Sequence, residues 1–136
     1  MIYYIADNHF GHKNVIRFDN RPFADTVLMD EVLVHNWNER VTEDDTVYIL
    51  GDCFWKNEEN SVKLIQRLKG HKHLIRGNHD RVHGRLRFYY ESIEHYAEIN
   101  DNDRLVILCH YPIPFYKNQH YGAVMLYGHV HNTREQ

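Results

Sequence analysis

Five short apolar runs in this chain stop at polar side chains able to hold a metal or move a proton, and this recurrence constrains the fold most. Leu74-Ile75 leads through Arg76 to Gly77-Asn78-His79-Asp80. Ile2–Ala6 stops at Asp7-Asn8-His9, and Thr46–Leu50 at Gly51-Asp52. Leu105–Cys109 stops at His110, and Val124–Tyr127 at Gly128-His129-Val130-His131. A strand that breaks at glycine and then presents Asn, His and Asp builds little core. It aims chemistry out of the end of a sheet.

The segments between these runs decide how the strands lie. Asp25 or Thr26 can cap a helix running to about Arg40, with Met29, Val32, Leu33 and Trp37 on one face. A second helix is expected over Glu59–Leu68, with Val62, Ile65 and Leu68 inward and Gly70 as its stop. Residues 81–90 read as a short helix and loop. Ser92–Ile99 alternates like one half-buried strand, and Tyr111–Gly122 like an irregular loop. Strand-helix-strand-helix-strand order implies parallel strands joined by right-handed crossovers, hence an α/β fold. In parallel sheets ligands collect beyond the carboxyl ends of the strands. The polar endings therefore belong on one edge.

Composition narrows the function classes. A chain of 136 residues fits a single domain over 1–136, and 43% hydrophobic with 26% charged residues is a globular balance. A net charge of -3 argues against stable nucleic-acid binding by a basic face. The apolar opening is too short for a membrane span or a signal segment. Cys53 and Cys109, far apart in sequence, fit a cytoplasmic protein with reduced thiols. Twelve histidines are many for a solvated surface and point to a metal site.

Asp7-x-His9, Gly51-Asp52, Gly77-Asn78-His79-Asp80, His110 and Gly128-His129-x-His131 resemble, in order, the five signature motifs of the calcineurin-like metallophosphoesterases. The opening Asp7-Asn8-His9-Phe10-Gly11-His12, followed by Arg21-Pro22-Phe23, is similar to a compact bacterial and phage branch. Asn8 departs from the Thr or Ser expected there. The chain stops five residues after His131, where relatives continue with further strands, so C-terminal strands of the second sheet are an open question. The resemblance implies a β-sandwich flanked by helices, with mostly parallel inner strands.

The resemblance also implies a ligand set. One metal would take Asp7, His9, Asp52 and His131, and the other Asp52, Asn78, His110 and His129, with Asp52 bridging. Imidazole, carboxylate and amide donors suit manganese first, or iron, zinc, nickel or cobalt. The implied reaction is phosphate-ester hydrolysis by a metal-bridging hydroxide. His79 would be the general acid, with Asp80 holding its ring, and His12 could touch the phosphate. The short loops around Phe10–Arg21 and Tyr111–Gly122 leave an open site. This predicts phosphodiesters, nucleotide-derived among them, with stacking on Phe10, Tyr111 or Tyr116. A nuclease acting on nucleic-acid ends and a non-catalytic metal-binding scaffold are the competing readings. Cys53 and Cys109 read as buried strand-end thiols, and Arg81–Arg87 as a solvated face.

Overall fold

A computed structural model describes residues 1–129 apart from Asp19, Lys56 and His83. β1 (Ile2–Ile5), β2 (Thr46–Ile49), β3 (His71–Ile75) and β4 (Ser92–Glu94) form a four-stranded parallel sheet in that order. β5 (Tyr96–Asp101), β6 (Arg104–Cys109) and β7 (Val124–Leu126) form a second sheet, antiparallel between β5 and β6 and parallel between β6 and β7. The fold is α/β, as the strand-helix order requires.

Among the described residues three helices complete it: α1 (Lys13–Phe18), α2 (Thr26–Arg40) and α3 (Glu58–Ile65), with a 3-10 turn over Leu86–Tyr89. Asp25 caps α2 by accepting the Leu28 N–H at 2.8 Å, and Asn57 caps α3 through the Asn60 N–H at 2.9 Å. Val34 and Trp37 of α2 and Val62 and Ile65 of α3 pack on Val47, Ile49 and Leu74, covering one face of the parallel sheet. Strands alternate their side chains, so the other face carries Tyr4, Leu50 and Ile75. These meet Val106, Leu108 and Ile99 of the second sheet. The layers are therefore helices, parallel sheet, second sheet. No helix among the described residues is long and apolar enough to cross a membrane.

The structure differs from expectation in three places. Ser92–Ile99 is two strands in different sheets, broken at His95. Its alternation runs across the break because both halves keep one face on a core, and periodicity does not register which sheet is joined. α1 lies where a loop was expected; six residues give too little periodicity to read. The buried side of α2 is Met29, Asp30, Val34 and Trp37. Asp30 turns inward because its carboxylate accepts the Gly11 N–H at 2.8 Å.

Candidate metal centre and its cleft

All five polar strand endings arrive at one edge, and backbone hydrogen bonds tie them beyond the sheets. The Asp7 N–H donates to the Gly51 carbonyl at 3.1 Å and the His9 N–H to the Asp52 carbonyl at 3.0 Å. The Gly128 N–H donates to the His110 carbonyl at 2.9 Å. Four of the expected ligands, Asp7, His9, Asp52 and His129, have left-handed backbones, with φ of 54°, 53°, 53° and 71°. For residues with a Cβ this conformation is strained and clusters at functional sites. Here it turns each side chain off its strand axis into a common space.

The glycines beside them permit close approach. A Cβ on Gly77 would lie 2.8 Å from the Asp52 backbone nitrogen, and one on Gly128 would lie 2.6 Å from an Asp7 carboxylate oxygen.

Two donor groups result, and they share one residue. Asp7, His9 and Asp52 offer ligand atoms within 4.8 Å of one another, and so do Asp52, His110 and His129. Asp52 Oδ2 stands 3.7 Å from His9 Nε2 and 3.3 Å from His110 Nε2. Asn78 Oδ1 joins the second group at 3.0 Å from His110 Nε2. Asp52, 3% exposed, keeps its other oxygen on the His79 backbone N–H at 2.9 Å. His131 lies outside the described residues.

The imidazoles are aimed from behind. His110, with no exposed surface, donates through Nδ1 to the Leu50 carbonyl at 2.7 Å, which leaves Nε2 facing Asp52. His9 Nδ1 meets His12 Nδ1 at 2.9 Å, so His9 likewise turns Nε2 inward. Partners of this kind fix the ring and tautomer of a ligating histidine. Burial favours the neutral forms of Asp52 and His110. Their mutual contact, together with the His79 N–H on Asp52 and the Leu50 carbonyl on His110, outweighs it. The Asp52 carboxyl is thus held below its ordinary range and the His110 imidazole above its own.

Three expectations are corrected. Asp80 does not orient the His79 ring. Its carboxylate accepts the backbone N–H groups of Asp52 at 2.8 Å, Gly77 at 2.7 Å and Cys53 at 3.1 Å, clamping the ends of β2 and β3 together. His79 Nε2 meets Asn78 Nδ2 at 3.0 Å instead. His12 does not line the cleft. It is buried, supports His9, and stacks on Trp55 with centroids 4.0 Å apart. Phe10 has no exposed surface and stacks on Phe54, so it offers no platform.

Cys53 stands as expected, whereas Cys109 is less buried than expected. Cys53 is fully buried, and burial together with Asp80 pushes its thiol well above the ordinary range, which keeps it protonated and unlike a ligand. Cys109 is half-buried and free.

The sequence reading missed two features. Arg21 donates to the carbonyls of Asp7 and Asn8, both at 2.7 Å, and so holds the strained ligand turn. Its signal was an arginine shortly after the motif, but spacing does not reveal which carbonyls it reaches. Trp55, exposed beside His79 with ring centroids 4.4 Å apart, stands on a cleft of about 370 Å³ that Asn78 and His79 also line.

No family model matches the chain. The uncharacterized protein MJ1445 of Methanocaldococcus jannaschii is 35% identical over 132 residues, 96% of this chain and 69% of that protein. The Gene 66 protein of Mycobacterium phage D29 is 26% identical over 159 aligned positions, covering 96% of this chain and 78% of its own length. Its counterpart in phage L5 is 38% identical over 85 residues, 60% of this chain and 40% of that protein. Among solved structures, the protein of unknown function AQ665 from Aquifex aeolicus superposes with a TM-score of 0.78 at 28% identity. That match covers 99% of this chain and 81% of the other.

Proposed function

We propose that this chain, which belongs to the same protein family as MJ1445, is a dinuclear metal-dependent phosphoesterase of the calcineurin-like type. One observation carries the reading: two donor groups meet at a single carboxylate, Asp52 Oδ2. Two sheets packed face to face, with helices outside the parallel one, support the finer reading of a metallophosphoesterase sandwich. The donor set also fits. Buried imidazoles with fixed outer nitrogens, two carboxylates and an amide oxygen suit manganese or a related divalent transition ion. Cys53 and Cys109, both free, are in keeping with a reducing cytoplasm.

Asp7, His9 and Asp52 would hold one ion, and Asp52, Asn78, His110 and His129 the other. When bound, two such cations supply positive charge for the phosphoryl oxygens and a water of lowered pKa. The chain's own residues do the rest. The Leu50 carbonyl and His12 keep the imidazoles aimed, so no reorientation accompanies binding. Asp80 and the Asp52 contact with the His79 N–H fix where the shared Asp52 carboxylate sits. His79, half-buried on the cleft wall, gives its proton to the leaving oxygen, with Asn78 Nδ2 against its ring to set its direction.

The test is metal content combined with turnover. Purified protein should hold two divalent ions per chain and hydrolyse bis-p-nitrophenyl phosphate. Asp52→Ala should lose both ions together and lose activity. Two ions bound at full occupancy in Asp52→Ala would refute the shared site.

A further inference from the structure

We propose that the cleft beside His79 receives the leaving group, and that Trp55 selects one bearing a flat aromatic base, a nucleoside released from a phosphodiester. The inference rests on the phosphoesterase reading and deepens it. In an in-line displacement the leaving oxygen departs opposite the attacking water, and the proton donor must stand beside it. His79 lines the cleft, so that side of the site is the departure side.

The cleft is built for an aromatic ring. Trp37, the other tryptophan, is 5% exposed, whereas Trp55 is 43% exposed at the cleft wall. It is also held still. Its backbone N–H donates to the Phe10 carbonyl at 2.7 Å, and its ring stacks on His12 with centroids 4.0 Å apart at an interplanar angle of 18°. A platform already fixed in place loses little entropy when a base stacks on it. Phe54, Leu86 and Tyr90 give the cleft apolar surface beside polar Asn57 and Ser61, and exposed Arg81, also lining it, can meet a carbonyl or ring-nitrogen edge. A volume of about 370 Å³ is nucleoside-sized and too open to enclose a free phosphate.

The reaction balances. The water oxygen bonds to phosphorus, keeping one proton on the product phosphate and releasing the other to solvent; the bond from phosphorus to O5′ breaks, the His79 proton goes to O5′, and solvent returns a proton to His79. The nucleoside leaves and an alkyl phosphate remains.

The experiment uses the full chain loaded with manganese. It compares the methyl diester of thymidine 5′-phosphate with the methyl diester of 1-O-methyl-2-deoxyribose 5-phosphate. Both have the same leaving oxygen, and the second lacks the base. Expected products from the first are thymidine and methyl phosphate. Its kcat/KM should exceed that of the baseless compound by roughly fivefold or more, since stacking contributes about 1–3 kcal/mol per base. In Trp55→Leu that ratio should fall to about 1, and Trp55→Phe should restore most of it. A purely structural Trp55 would slow both compounds alike and leave the ratio unchanged.

Thymidine 5′-phosphate plus methanol as products, a wild-type ratio near 1, or an unchanged ratio in Trp55→Leu each overturns the proposal. If no phosphate ester is hydrolysed with any metal, the parent reading fails instead. The cleft is then judged by tryptophan fluorescence. Saturable quenching by thymidine that is lost in Trp55→Leu upholds the base site, and its absence overturns it.

Discussion

Asp80→Asn separates two jobs for a carboxylate that sits next to His79 in sequence. The substitution keeps shape and removes charge. Asp80 Oδ2 accepts from Asp52 and Gly77, at 2.8 and 2.7 Å, and Oδ1 accepts from Cys53 at 3.1 Å. An asparagine can place its one oxygen at the Oδ2 position and keep two bonds, now to a neutral acceptor. Its amide nitrogen then faces the Cys53 N–H, donor against donor, in a buried place. Weakening two charge-assisted bonds costs about 1 kcal/mol each, and stranding a buried donor about 1–3 kcal/mol. The total, roughly 3–5 kcal/mol, is a large share of a typical domain stability of about 5–15 kcal/mol. In a thermal melt with chelator it corresponds to a drop of about 10–20 °C. Metal affinity measured by calorimetry should fall as well, because the clamp positions the backbone of Asp52. A wild-type melt and full affinity, with turnover reduced a hundredfold or more, would refute the clamp. That result would return Asp80 to the His79 ring.

Three further outcomes are expected. His79→Ala should keep both ions and slow turnover by about 10²–10⁴-fold, with a smaller loss for nitrophenolate leaving groups than for alkoxides; equal losses would rule out the acid role. Gly77→Ala should lower metal occupancy measured by elemental analysis, because the new Cβ meets Asp52 N at 2.8 Å and Asp52 Cγ at 3.0 Å and must displace that carboxylate. The pH dependence of melting should change sign with metal. In chelator, His110, raised above 6.5, contributes most below that pH and loses its contribution as pH rises through its folded value. Asp52, held below 3.8, loses its contribution only as pH falls through its own folded value. The metal-free melt should therefore decline from about pH 6 to 8, while the stabilisation on adding manganese grows, since ligands must be deprotonated to bind. A metal effect flat across that range would contradict it.

The sequence disclosed the strand endings because the requirement is local: an apolar run, a break and a donor. Parallel pairing placed Asp7, Asp52 and Asn78 at one edge of the first sheet and His110 and His129 at one edge of the second, and the packing of the two sheets brings those edges together. What stayed hidden depends on contacts between segments distant in sequence. Asp80 follows His79 directly, yet its carboxylate turns to Cys53 and Asp52, which adjacency in sequence could not show. His12 repeats the look of a ligand and instead stands behind His9, because the turn between them folds back, with the His12 N–H on the His9 carbonyl at 3.0 Å. Phe10 reads as a loop aromatic, but its backbone extends the β1–β2 pairing through a bridge to Phe54 and takes the ring inside. Trp55 lies three residues past the Gly51-Asp52 motif, and only the packed structure sets it on the cleft.

The donors come from both sheets: Asp7, His9, Asp52 and Asn78 follow strands of the first, His110 and His129 follow strands of the second. What joins the two layers elsewhere is mostly apolar contact, with the Tyr4 hydroxyl donating to Asp101 Oδ2 at 2.8 Å, and such contact slides and breathes more readily than a ligand bond. A pair of ions bridged at Asp52 would act as a rivet through the laminate. Parting the layers would then require ligand bonds to break first, and metal release would set the pace. Amide hydrogens of β6, exchanged in deuterated buffer, should become slower with manganese in step with the ion's residence time, so that a clock on the protein's opening would also read the dissociation of its metals.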